Sequence, residues 1–77
     1  MALVRFFAAA EEAAGATQLT IAAPHLAALR ETLRARHPAL ATILPKCAVL
    51  VDGARLDDAA PLPDQAVVDV LPPFAGG

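Results

Sequence analysis

Seven prolines decide where regular structure can run in this chain of 77 residues. Proline fixes φ and has no backbone N–H, so it interrupts helix interiors and sheet ladders alike. Pro24 is read as the first residue of a helix, where the missing donor costs nothing. Pro38 is expected to end that helix near His37, and Pro45 to close an irregular stretch after it. Pro61 and Pro63 mark a loop. Pro72-Pro73 stop the last strand-like segment, because neither can join a ladder. Short strands and one substantial helix are what fits between these marks.

The apolar pattern fills those intervals. Residues 2–8 alternate, with Val4 and Phe6 on one face and Leu3, Arg5 and Phe7 on the other, which predicts a strand. Residues 9–14, AAEEAA, predict a short helix closed by Gly15. Residues 16–22 predict a second strand able to pair antiparallel with the first. From Pro24 onward Leu26, Leu29 and Leu33, and then Leu40, recur at helical spacing, with Arg30, Glu31 and Arg34 on the polar side. Residues 46–52 are the clearest strand, with Cys47, Val49 and Val51 on one face, and Asp52-Gly53 signals a turn. Residues 54–65 read as loop with room for one helical turn, and 66–71 as the last strand. The order β-β-α-β-β predicts an α+β fold, a mixed sheet covered by one main helix: a β-grasp, ubiquitin-like roll. Residues 1–71 would form this domain and 72–77 an extended tail.

Size and composition limit what such a domain can do. A chain of 7.9 kDa buries only about 60% of its unfolded surface. The apolar fraction is 57%, but twenty residues are alanine, so the larger core residues are few. A self-contained enzyme with its own cofactor pocket is not expected. Six basic and eight acidic side chains leave a net charge of −2, which argues against nucleic acid as a partner. The basic group Arg30, Arg34, Arg36 and His37 reads as a solvated helix face near a helix C-terminus. Cys47 is the only cysteine, which forbids an internal disulfide and points to a reducing, cytoplasmic setting. No signal-peptide pattern and no membrane span is read in the sequence.

The most specific motif is Pro72-Pro73-Phe74-Ala75-Gly76-Gly77. Glycine makes up about 7% of residues on average, so a terminal pair arises by chance in roughly one chain in 200, rare enough to need a reason. Six extended residues reach up to about 20 Å. Glycines lack a Cβ and can enter a channel that any side chain would block. The reactive group at the tip is the Gly77 α-carboxylate, a poor electrophile until activated. Adenylation by ATP is a direct route, after which a sulfur or amine nucleophile can displace AMP.

These marks together resemble the MoaD/ThiS-type sulfur carriers, and within them the small subunit of molybdopterin synthase. The resemblance rests on Val4-Arg5-Phe6-Phe7-Ala8 with its acidic short helix and Gly15, the helix at 24–37, and Val51-Asp52-Gly53. It also rests on Pro61-Leu62 with Asp64 and on Val70-Leu71 with the tail. It implies that Gly77 is adenylated by an E1-like adenylating enzyme, with ATP used by that partner and no cofactor bound here. A sulfur donor would then convert Gly77 to a thiocarboxylate. Gly76 and Ala75 would enter a channel of the molybdopterin synthase large subunit, where sulfur passes to cyclic pyranopterin monophosphate. The resemblance further implies docking through Phe7, Leu71, Pro72, Pro73 and Phe74, although the pattern leaves core packing equally open for Phe7. Asp64-Gln65-Ala66 departs from the family's Asp-Gly-Asp turn before the last strand.

Other readings stay open. The carrier could serve thiamine or cysteine biosynthesis, or the chain could be a ubiquitin-like modifier that ends in an isopeptide bond. Cys47 is expected to be a buried, inert thiol. His25 and His37 have no ligand-spaced partners, so no metal site is expected. Asp57 and Asp58 read as turn and capping residues. No phosphate-binding glycine loop is present, so ATP binding by the chain alone is not expected.

Overall fold

The computed structural model describes residues 1–73. Strand β1 (Ala2–Phe6) leads into helix α1 (Ala9–Ala14), and strand β2 (Gln18–Ile21) returns antiparallel to β1. Helix α2 (Leu26–Arg36) is followed at once by α3 (Pro38–Ile43) and a 3-10 turn (Leu44–Lys46). Strands β3 (Ala48–Val51) and β4 (Val67–Leu71) are joined by the long loop. The sheet order is β2-β1-β4-β3, with β1 and β4 parallel at its centre and β3 antiparallel to β4. This is the mixed, helix-covered β-grasp sheet that the apolar pattern predicts.

The core lies between one sheet face and the helices. Val4 and Phe6 of β1, Val68 and Val70 of β4, and Val49 and Val51 of β3 are all buried. Leu26, Leu29 and Leu33 of α2 and Leu40 of α3 cover them and are fully buried. Full burial of each such side chain stabilises by roughly 1.5–3 kcal/mol. No polar or charged residue is buried among the described residues.

Two local readings need correction. Pro24 is not the first helical residue. It precedes the cap, His25, which is extended (φ −151°) and whose Nδ1 accepts from the Ala28 N–H at 3.1 Å. An imidazole acceptor there replaces the Ser, Thr, Asp or Asn usual at this position. Residues 39–45 are not irregular either. Pro38 ends α2 but stands in the first turn of α3, where its ring is tolerated. The break reorients the chain while Leu40 and Leu44 stay on the buried side.

Turns position the strand ends. Gly15 closes α1 in the left-handed conformation, its N–H donating to the Glu11 carbonyl. Asp52, at φ 50°, holds the start of β4 twice. Its N–H donates to the Val67 carbonyl at 2.8 Å, and its carboxylate accepts from the Val67 N–H at 2.9 Å. At the turn before β4, Gln65 takes φ 57°, and the Ala66 N–H donates to the Pro63 carbonyl. A positive φ at that place is why a glycine suits it better.

Candidate functional site: the tail root and the open sheet face

β4 carries the root of the tail, and it is bonded on both sides. Leu71 pairs with Ala48 of β3, while the Phe7 N–H donates to the Val70 carbonyl across the parallel β1–β4 ladder. Because β1 and β4 are parallel, Phe7 and Leu71 come to the same end of the sheet. Leu71 and Pro72 are half-buried there and Pro73 is exposed. Phe74, Ala75, Gly76 and Gly77 lie outside the described residues.

Phe7 does not pack in the core. It follows the inward Phe6, so strand alternation turns it to the other sheet face, where it is 40% exposed. The chain then turns sharply. The Phe7 carbonyl accepts from the Ala10 N–H at 3.0 Å, and Ala8 has φ 52° and ψ −125°. These are the angles of the first central position of a type II′ turn, normally a glycine position.

The open face has a feature that the sequence pattern alone does not reveal. Arg5 and Asp69 are register partners on the two central strands. Arg5 Nε donates to Asp69 Oδ1 at 2.6 Å and Nη2 to Oδ2 at 2.8 Å, a fork-to-fork pair. The hydrogen bond and charge of Asp69 raise the Arg5 pKa further above its ordinary value. The guanidinium also sits 5.9 Å from the Phe7 ring centroid, within cation–π range. The available signal was one charged residue in each of two otherwise apolar strands. Their pairing could not be read without knowing that β1 lies beside β4.

The remaining candidates are accounted for locally. Cys47 is half-buried, its Sγ donating to the Ile43 carbonyl, and burial pushes its thiol pKa up. Asp57 closes a turn by accepting from the Ala59 N–H, and Arg30 pairs with Asp58. Arg34 pairs with Glu31 one helical turn back. Among the described residues no three His, Cys, Asp or Glu side chains lie close enough to hold a metal ion. A cavity of about 200 Å³ beside Met1, Leu62 and Asp64 lies at the other end of the sheet from Leu71, and is smaller than ordinary ligand pockets. No helix among the described residues is long and apolar enough to cross a membrane.

A four-stranded mixed sheet with a helix across one face and a C-terminal strand at its centre defines a ubiquitin-like domain. The ThiS family profile matches residues 4–77. The chain belongs to that family, the ThiS/MoaD-type ubiquitin-like sulfur carriers. No curated protein sequence matches it. Among solved structures it is similar to a chain in the complex of subunits 1 and 2 of the molybdopterin-converting factor from Helicobacter pylori 26695. That match is 31% identical, covers 99% of this chain and 97% of that one, and has a TM-score of 0.76. A Pyrococcus furiosus protein provisionally described as molybdopterin converting factor subunit 1 is 24% identical, with 95% and 97% coverage and a TM-score of 0.86. The small archaeal modifier protein 1 of Methanosarcina acetivorans is 23% identical, with 99% and 95% coverage and a TM-score of 0.86. The last two show the shared fold.

Proposed function

We propose that this chain is the sulfur-carrying small subunit of a molybdopterin synthase. The observation that carries the reading is the likeness, over 99% of the chain, to a chain of the solved complex of subunits 1 and 2 of a molybdopterin-converting factor, joined to the Pro72-Pro73-Phe74-Ala75-Gly76-Gly77 motif. In the proposed cycle the Gly77 carboxylate attacks ATP on an adenylating enzyme, releasing pyrophosphate. A sulfur donor then displaces AMP and leaves a Gly77 thiocarboxylate. Phe7, Leu71, Pro72, Pro73 and Phe74 dock on the large subunit, and Ala75 and Gly76 thread the channel. Sulfur passes to cyclic pyranopterin monophosphate, and water attacks the Gly77 carbonyl carbon, breaking its bond to sulfur and restoring the carboxylate. Activation and sulfur transfer are catalysed by the partners. This chain supplies the acyl group and the surface that aims it.

Intact-mass spectrometry of the protein isolated from its own cells tests the cycle. The expected result is a fraction in which one terminal oxygen is replaced by sulfur, absent when Gly77 is deleted. That protein, mixed with the large subunit and cyclic pyranopterin monophosphate, should form molybdopterin. A carboxylate that persists with abundant sulfur refutes the carrier reading. Recovery of Gly77 in isopeptide bonds to lysine, without thiocarboxylate, would establish the modifier reading in its place.

A further inference from the structure

We infer that Arg5 on the open sheet face is a specificity determinant for the large subunit, and that the partner meets it with an acidic side chain set in an apolar surface. This rests on the proposed pairing with a large subunit.

Across β1, β2, β3 and β4 the only charged residues are Arg5 and Asp69. Around them on the open face stand Leu3, Val67, Leu50 and Leu71, all half-buried, and the exposed Phe7, with the exposed but uncharged Gln18 and Thr20 of β2 on the far side of β1. The pair is lopsided. The Asp69 side chain is 16% exposed and that of Arg5 is 46% exposed. The carboxylate engages Nε and one hydrogen of Nη2, so three of the five guanidinium hydrogens have no partner in Asp69. The fork fixes the direction in which those donors project, and the contact with Phe7 ties them to the aromatic anchor.

A partner that covers this face removes those donors from water. That is unfavourable unless an acceptor replaces the lost hydration. A carboxylate does so with charge-assisted bonds, while a cation would be repelled. The face is also continuous with the tail root, since Phe7 and Leu71 share one end of the sheet. A partner that swallows the tail therefore meets Arg5 within the same interface. Rejection of wrong partners follows from the same geometry: an apolar or basic patch opposite Arg5 leaves a buried charge unmet.

Isothermal titration of the full chain against the large subunit encoded in the same genome, at several salt concentrations, is the test. Arg5→Met should weaken binding about tenfold or more, and should flatten the salt dependence. Arg5→Lys should recover only part, because an ammonium cannot fork. Thermal melts of each variant monitor the fold, and Arg5→Gln serves the same purpose should Arg5→Met melt early. Binding of the neutral variants within twofold of the native chain at every salt concentration overturns the inference alone. Failure of the native chain to bind overturns the function reading and this inference with it. Sedimentation should show the isolated chain as a monomer. A dimer lost on Arg5→Met, with large-subunit binding unchanged, would assign the face to a second copy instead and also overturn the inference.

Discussion

Replacing Ala8 by glycine should make this protein more stable. Ala8 is held at φ 52° and ψ −125° between β1 and α1, where a Cβ is strained. Strain of this kind costs about 1–3 kcal/mol per residue. Glycine removes it, but loses roughly 0.5–1 kcal/mol more chain entropy on folding than alanine does. Ala8 is exposed, so no core contact is lost with its methyl group. The balance is a gain of about 1 kcal/mol, which in a domain of this size raises Tm by roughly 4–8 °C. Circular-dichroism melts give the shift, and urea titration gives the free energy. The m-value should not change, because the same surface is exposed on unfolding. A Tm equal to or below that of the native chain would refute the reasoning. It would mean that the turn stores no strain at this residue. Binding to the large subunit should be unaffected, because the turn that carries Phe7 keeps its hydrogen bond from Ala10.

Two further outcomes follow from local geometry. Asp52→Ala removes the carboxylate that accepts from Val67 and leaves an alanine at φ 50°; urea unfolding should show a loss of about 1–2 kcal/mol, while Asp52→Asn, which keeps an acceptor oxygen, retains most of it. Cys47 should alkylate more slowly than free cysteine at pH 8, because burial raises its pKa and the thiolate is the nucleophile. The folded thiol holds its proton to higher pH than the unfolded one, so stability falls as pH rises above the ordinary thiol range. Cys47→Ala should flatten that alkaline decline.

Much of the fold was legible because its elements are local. Alternation in 2–7, 47–51 and 66–71 specifies a buried face without reference to the rest of the chain, and Gly15 marks a helix end by its own conformational freedom. Helix α3 was not legible, because a proline after a helix reads as a stop. The same ring also suits a first turn, and only the buried positions of Leu40 and Leu44 show that the chain resumed a helix. Pairing was the larger gap. Nothing in residues 2–7 states that they lie beside 67–71, so the Arg5–Asp69 fork, 64 positions apart, was invisible. The site divides in the same way. The tail motif is read from six consecutive residues, whereas the exposure of Phe7 followed from alternation only once the helices had claimed the other sheet face.

The place of β4 bears on how a carrier of this kind can work. A tail drawn into a partner transmits tension to the strand it leaves. On an edge strand, one ladder would resist. Here β4 is central, with β1 bonded along one side and β3 along the other, so tension loads two ladders in shear. Its two neighbours run in opposite directions, and each ends its own pairing close to the tail: Ala48 opposite Leu71, and Phe7 bonded to Val70. Pro72 cannot donate to either neighbour, so paired sheet stops one residue before the tail begins. The last residue held by both ladders is therefore Val70, and Leu71, paired with Ala48 alone, is the last paired residue, from which the tail departs. In the proposed cycle, insertion or deletion between Leu71 and Gly77 should lower molybdopterin formation with the large subunit while leaving the melting temperature of the domain unchanged.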